Sequence, residues 1–92
     1  MISLSQLSLL PKTSGIYLVL HQDGTVLYVG QSKNLYQRWN GGHHKLAQLV
    51  ANYGNDIYIH WVEVPEWLLN RAESAAFDSY KPVLNLKSPP IV

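Results

Sequence analysis

The 92-residue sequence contains no cysteine. That excludes disulfide staples, thiolate nucleophiles and Cys-ligated zinc, and it suits a reducing cytoplasm. Charge of either sign is also scarce: Lys and Arg number 7 against 6 Asp and Glu, a net of +1. Such a balance lacks the basic excess common in a standalone nucleic-acid binder. No apolar run is long enough to cross a bilayer, so no membrane association is expected. The opening MISLSQLSLL has no early basic residue and no small-residue cleavage pattern, which argues against a secretory leader. Internal repeats, low-complexity tracts and linkers are likewise missing. What remains reads as one small domain over residues 1–92, with 47% hydrophobic residues to build a core.

The richest stretch is SGIYLVLHQDGTVLYVG, residues 14–30. Residues 16–21 and 25–29 are β-branched and aromatic and read as strands. Asp23-Gly24 between them predicts a two-residue type I′ hairpin turn, since both residues tolerate positive φ. That turn pairs Gln22 with Thr25, Val19 with Tyr28 and Tyr17 with Gly30. Alternation then puts Tyr17, Val19 and Tyr28 on one face, and Ile16, Leu18, Leu20, Leu27 and Val29 on the other. The two tyrosines become diagonal neighbours aimed the same way.

A short helix is expected over residues 32–40, capped by Asn34 or Ser32 and broken at Gly41-Gly42. A second helix is expected over residues 43–53. Residues 56–64 alternate with apolar groups on both sides, which suits an interior strand covered on both faces. Pro65 opens a last helix that ends before Lys81-Pro82. The order predicts a small α/β layer structure.

In that last helix Leu69, Ala72, Ala76, Phe77 and Tyr80 form an apolar stripe, and Glu73 falls inside it. A carboxylate on a core-facing stripe must be paired, reach solvent at the stripe's edge or bind a cation, because burying it bare is costly. Arg38 is one available pairing partner. A divalent ion with waters completing its shell is the functional alternative. The tyrosines pose the same choice between core packing and a site.

Together these residues resemble the GIY-YIG nuclease superfamily. GIY stands at 15–17 and YVG at 28–30, after Leu10-Pro11 and Ser14; QSKNLYQR then places Arg38 ten residues beyond Tyr28. Glu73 follows on the later helix, and KPVLN puts Asn85 twelve residues after it, so the likeness runs over about residues 10–86. The resemblance implies a small, three-stranded, mainly antiparallel sheet flanked by helices, and metal-dependent hydrolysis of DNA. It implies that Tyr17 is the general base or a base-assisting hydroxyl and that Tyr28 positions the water or the phosphate. It implies further that Arg38 binds phosphate, that Glu73 ligates a single Mg2+ or Mn2+ and that Asn85 holds the site by hydrogen bonds.

The sequence departs from the family pattern at two further positions. Gln31 stands where many relatives have lysine, and Gly42 where they often have histidine or tyrosine; His43, or else His44, is the substitute. Lys33 and Lys45 lie near the expected site and suit a phosphate path. The departures leave open a catalytically weak nucleic-acid-binding or interaction module on the same fold. Target choice would come from a protein partner or a homodimer. Zinc bound by His21, His60 and His43 lacks ligand-motif spacing. Trp39, Trp61 and Trp67 are read as core anchors ahead of base-stacking platforms.

Overall fold

The computed structural model describes residues 1–41 and 56–82. The helix expected over residues 43–53, with His43, His44 and Lys45, lies outside them, as does Asn85. Three seven-residue strands carry the fold: β2 (Gly15–His21), β3 (Val26–Ser32) and β4 (Ile57–Glu63). They form the expected antiparallel sheet. A fourth, two-residue strand, β1 (Ile2–Ser3), is added at the free edge of β4, giving the order β1-β4-β2-β3. The segment before β2 thus contributes a sheet edge as well as the short 3₁₀ helix Leu4–Leu9.

The hairpin turn differs from the two-residue form. His21 and Thr25 close a three-residue loop, with the His21 amide donating to the Thr25 carbonyl at 2.9 Å and the Gly24 amide donating to the His21 carbonyl at 2.8 Å. Gly24 takes φ 92°, and Asp23 stays outside the left-handed region. Only a glycine then carries the strained conformation, which is why this loop is the easier solution. The extra loop residue is absorbed at once: Leu20 pairs with Val26 but Val19 with Tyr28, leaving Leu27 in a bulge. Loop and bulge cancel, so Tyr17 still faces Gly30 and Val19 still faces Tyr28. The bulge also turns Leu27 into the core beside Tyr17 and Val19, on the face opposite to the one simple alternation predicts.

Two cores form, one on each side of the sheet. Tyr17, Val19, Leu27, Ile57 and Ile59 pack with Leu35 and Trp39 of helix α1 (Leu35–Asn40). Ile16, Leu18 and Val29 pack with Ala76 of helix α2 (Leu69–Tyr80) on the other side. Helix α2 covers β3 and β2. The outer face of β4 remains open there, with His60 exposed and Val62 47% accessible, so this strand is covered on one face and not on both.

Helix α1 is pinned at both ends. Asn34 is its cap, the side chain accepting from the Gln37 amide. The Leu35 and Tyr36 amides donate to the Thr13 and Pro11 carbonyls at 3.0 Å, and Asn40 Nδ2 donates to the Leu7 carbonyl at 3.0 Å. These bonds satisfy orphan groups of a short helix and fix the direction in which Arg38 projects. Helix α2 follows a 3₁₀ turn, Glu66–Leu68, for which Pro65 is the cap. It ends at Lys81, whose left-handed conformation (φ 45°) precedes Pro82.

Candidate active site

The site is built around one glycine. A Cβ placed on Gly30 would fall on the Tyr17 ring at Cζ and the hydroxyl oxygen. The Tyr17 ring therefore lies flat across strand β3, its hydroxyl end above Gly30. A bare α-carbon is what permits that approach. Gly15 meets a similar demand: a Cβ there would strike the Val62 carbonyl oxygen and reach 3.1 Å from Leu35 Cδ1. It keeps β2 and β4 in contact directly beneath α1.

Tyr17 is 1% accessible. Trp39 meets its ring edge-on at 5.2 Å between centroids, and Tyr28 stacks near-parallel at 6.2 Å and 21°. Tyr28 is half-buried, so the pair runs from the core outward. Arg38, from α1, hydrogen-bonds the Tyr17 hydroxyl.

Glu73 approaches from the opposite face. Its helix packs with Ile16, Leu18 and Val29, whereas Tyr17 belongs to the α1 side. Among the described residues strand β3 is the sheet edge. Around that edge the groups come near enough that Glu73 acts on Tyr17, and Arg38 acts on Glu73, through their charges. Glu73 is 4% accessible, which meets the expectation of an acid inside the buried stripe. The stripe itself is shorter than expected: Leu69, Glu73 and Ala76 are buried, Phe77 is half-buried and Tyr80 is exposed.

Gln31, adjacent to Gly30, is the direct partner of this carboxylate. Its Nε2 donates to Glu73 Oε1 at 2.7 Å and to Asn70 Oδ1 at 2.7 Å. The departure from lysine at position 31 thus puts a neutral amide where a cation would have formed an ion pair. Periodicity does not single out Asn70, although its place one turn before Glu73 on the helix is the available signal. Burial raises the Glu73 carboxyl above its ordinary range; the Gln31 hydrogen bond and then the Arg38 charge work against that rise. Burial likewise drives the Tyr17 phenol well above its usual value, against the opposing hydrogen bond from Arg38. Tyr17 is accordingly protonated at neutral pH. Replacing Gln31 with leucine removes the donor at similar size and leaves Glu73 Oε1 buried without that partner. A loss of about 1–3 kcal/mol is expected, read as a lower urea midpoint at pH 7 with unchanged slope.

Lys33 is exposed and borders two depressions. One, of about 360 Å³, is lined by Arg38, Ser32, Asn34, Gln37 and Gly41; the other, of about 300 Å³, runs past Gln31 and Asn70. Lys33 Nζ is 3.9 Å from Glu66 Oε1. Among the described residues no three His, Cys, Asp or Glu side chains gather into a metal cage. A single buried carboxylate is nevertheless a sufficient protein donor for Mg2+, which keeps several waters and commonly takes one or two carboxylates. A cation-seeking acid, an anion-seeking guanidinium and two phenols therefore share one sheet edge.

The GIY-YIG catalytic domain model matches residues 13–85. The UvrABC system protein C of Campylobacter jejuni subsp. doylei is 38% identical over 55 residues, which cover 60% of this chain and 9% of that protein. Its counterpart from Geobacter metallireducens is 50% identical over 34 residues, 37% of this chain and 6% of that protein. The chain thus spans under a tenth of the length of these curated relatives. Among solved structures, the N-terminal GIY-YIG endonuclease domain of UvrC from Thermotoga maritima superposes closely. A point mutant bound to its catalytic divalent cation gives a TM-score of 0.74 at 21% identity, over 90% of this chain and 93% of that one. The magnesium-bound form gives 0.72 at 22% identity, over 88% and 92%. With the glycine-centred tyrosine pair, Arg38 and Glu73 on the fold that these structures share, and with the family model matched over most of the sequence, the chain belongs to the GIY-YIG catalytic domain family.

Proposed function

We propose that this chain is a divalent-metal-dependent endonuclease domain that hydrolyses DNA phosphodiester bonds. The observation that carries the reading is the buried Glu73 carboxylate, within electrostatic reach of Arg38 and of Tyr17 beside Gly30. Glu73 would hold the Mg2+ or Mn2+ ion. When bound, that ion supplies positive charge against the phosphate as negative charge develops on it.

The remaining work falls to the chain's own groups. Arg38 donates to non-bridging phosphate oxygens and offsets charge as the phosphorane forms. Water forms the new bond to phosphorus while the bond to the leaving sugar oxygen breaks. In the metal-free protein burial raises the Tyr17 phenol, so Tyr17 enters the reaction as a hydroxyl. Its oxygen accepts a hydrogen bond from the attacking water. As the water's proton arrives the phenol gives up its own, and the leaving sugar oxygen ends by taking up a proton from solvent, so that the phenol is restored and charge balances. Tyr28, half-buried beside it, positions the water or the phosphate. Lys33 and Lys45 guide the DNA backbone. His43 or His44 completes the constellation, and Asn85 braces it by hydrogen bonds.

Targeting would come from a protein partner or a second copy; one site of this size cuts one strand at a time, so double-strand cleavage would need two copies or two encounters. Among the described residues no helix is long and apolar enough to cross a membrane, and DNA as substrate suits a cytoplasmic setting. The neutral Gln31 beside Glu73 favours the second reading, a module that binds nucleic acid with little turnover.

Incubation with supercoiled plasmid and Mg2+ or Mn2+ separates the two. The wild type is expected to yield nicked circles, and Tyr17→Phe and Glu73→Ala are expected to lose that activity. Plasmid binding without nicking supports the module. Nicking that survives Glu73→Ala removes Glu73 from the metal site.

A further inference from the structure

Trp67 is 80% accessible. Trp39 is buried and Trp61 half-buried, so this indole alone departs from the expectation of a core anchor. Nor does it hang from a loose loop. Its 3₁₀ turn is set by Pro65 at φ −56° and closed by the Leu68 amide donating to the Pro65 carbonyl at 2.9 Å. The fold thus holds a large apolar ring in water, beside the depression of about 300 Å³ that it lines with Gln31, Lys33, Glu66, Leu69 and Asn70.

That depression borders the catalytic groups. Gln31, in its wall, donates both to Asn70 and to Glu73. Lys33, at its rim, also borders the depression that holds Arg38. A strand whose phosphates met Arg38 and Lys33 would pass beside the depression that Trp67 lines. Glu66, an acid, disfavours a second phosphate there and offers an acceptor to base N–H groups. A nucleobase presents a π-face to an indole only when it has left the duplex stack.

We propose that Trp67 is a stacking platform for one unpaired nucleobase next to the scissile phosphate, so that the domain prefers DNA with an unpaired nucleotide at the cut. The proposal rests on the nuclease reading of the neighbouring site, and its test is independent of turnover.

The full chain, in EDTA, is titrated into labelled duplexes with and without a single unpaired base, with anisotropy as the readout. Wild type is expected to bind the unpaired-base duplex more tightly. Trp67→Ala should weaken that complex by about 5- to 150-fold while leaving the fully paired duplex unchanged. Trp67→Phe, which keeps a π-face, should retain most of the preference. Because the side chain is exposed, both variants should melt as wild type does. Equal affinity of wild type and Trp67→Ala for both duplexes, or an equal loss on both, overturns the platform. Absence of plasmid nicking with the Trp67-dependent preference intact would defeat the nuclease reading alone. Nicking with no Trp67 dependence would defeat the platform alone.

Discussion

Glu73→Gln is expected to abolish metal-dependent nicking while making the metal-free protein more stable at neutral pH. The isostere keeps an oxygen for the Gln31 amide, so the bond to Oε1 is replaced in kind. What disappears is the charge. Burial raises the Glu73 carboxyl above its ordinary value of 4.5, and the native state therefore binds that proton more readily than the unfolded chain does. Stability from this group is fully present below the ordinary value and is lost as pH rises through the raised one. Metal-free wild type should accordingly show a melting temperature that declines across that window, and Glu73→Gln should not. Nicking should fall by at least about a hundredfold, the scale of losing a charge-stabilising group in an enzyme site. A variant that is less stable at pH 7 and still cuts would contradict both the buried-acid and the metal-holding accounts.

Gly30→Ala should damage fold and activity together. The new methyl falls on a ring that is 1% accessible and is hemmed in by Trp39 and Tyr28, so Tyr17 has nowhere to retreat. Overpacking of this kind costs about 1–3 kcal/mol. In a domain of this size that lowers the melting temperature by about 5–20 °C. Displacing the hydroxyl from its place above β3 should also cut nicking by roughly a hundredfold, measured at a temperature where the variant is folded. Thermal melts and plasmid assays together decide it. An alanine that leaves both unchanged would mean the Tyr17 ring does not cross Gly30.

Much of this architecture was legible from residue order. Strand alternation with a glycine-bearing turn was enough to align Tyr17 with Gly30 and to aim both tyrosines one way, because side-chain period and pairing register are local properties. Helical spacing was enough to place Glu73 inside a buried stripe. The loop and bulge show the limit: the pairing was right although the turn was not, since two local irregularities cancelled.

What sequence alone determined, then, was the pairing of β2 with β3 and the inward placement of Tyr17, Val19 and Glu73. Only the tertiary structure decided which elements meet. The tyrosines and Glu73 stand on opposite faces of the sheet and are brought together because β3 is its edge and Gly30 leaves room there. The amide bridge from Gln31 to Asn70 and Glu73, spanning 39 and 42 positions, is invisible to periodicity for the same reason. So is the exposure of Trp67, because an apolar side chain is buried only when another element happens to cover it, and none of the described elements does.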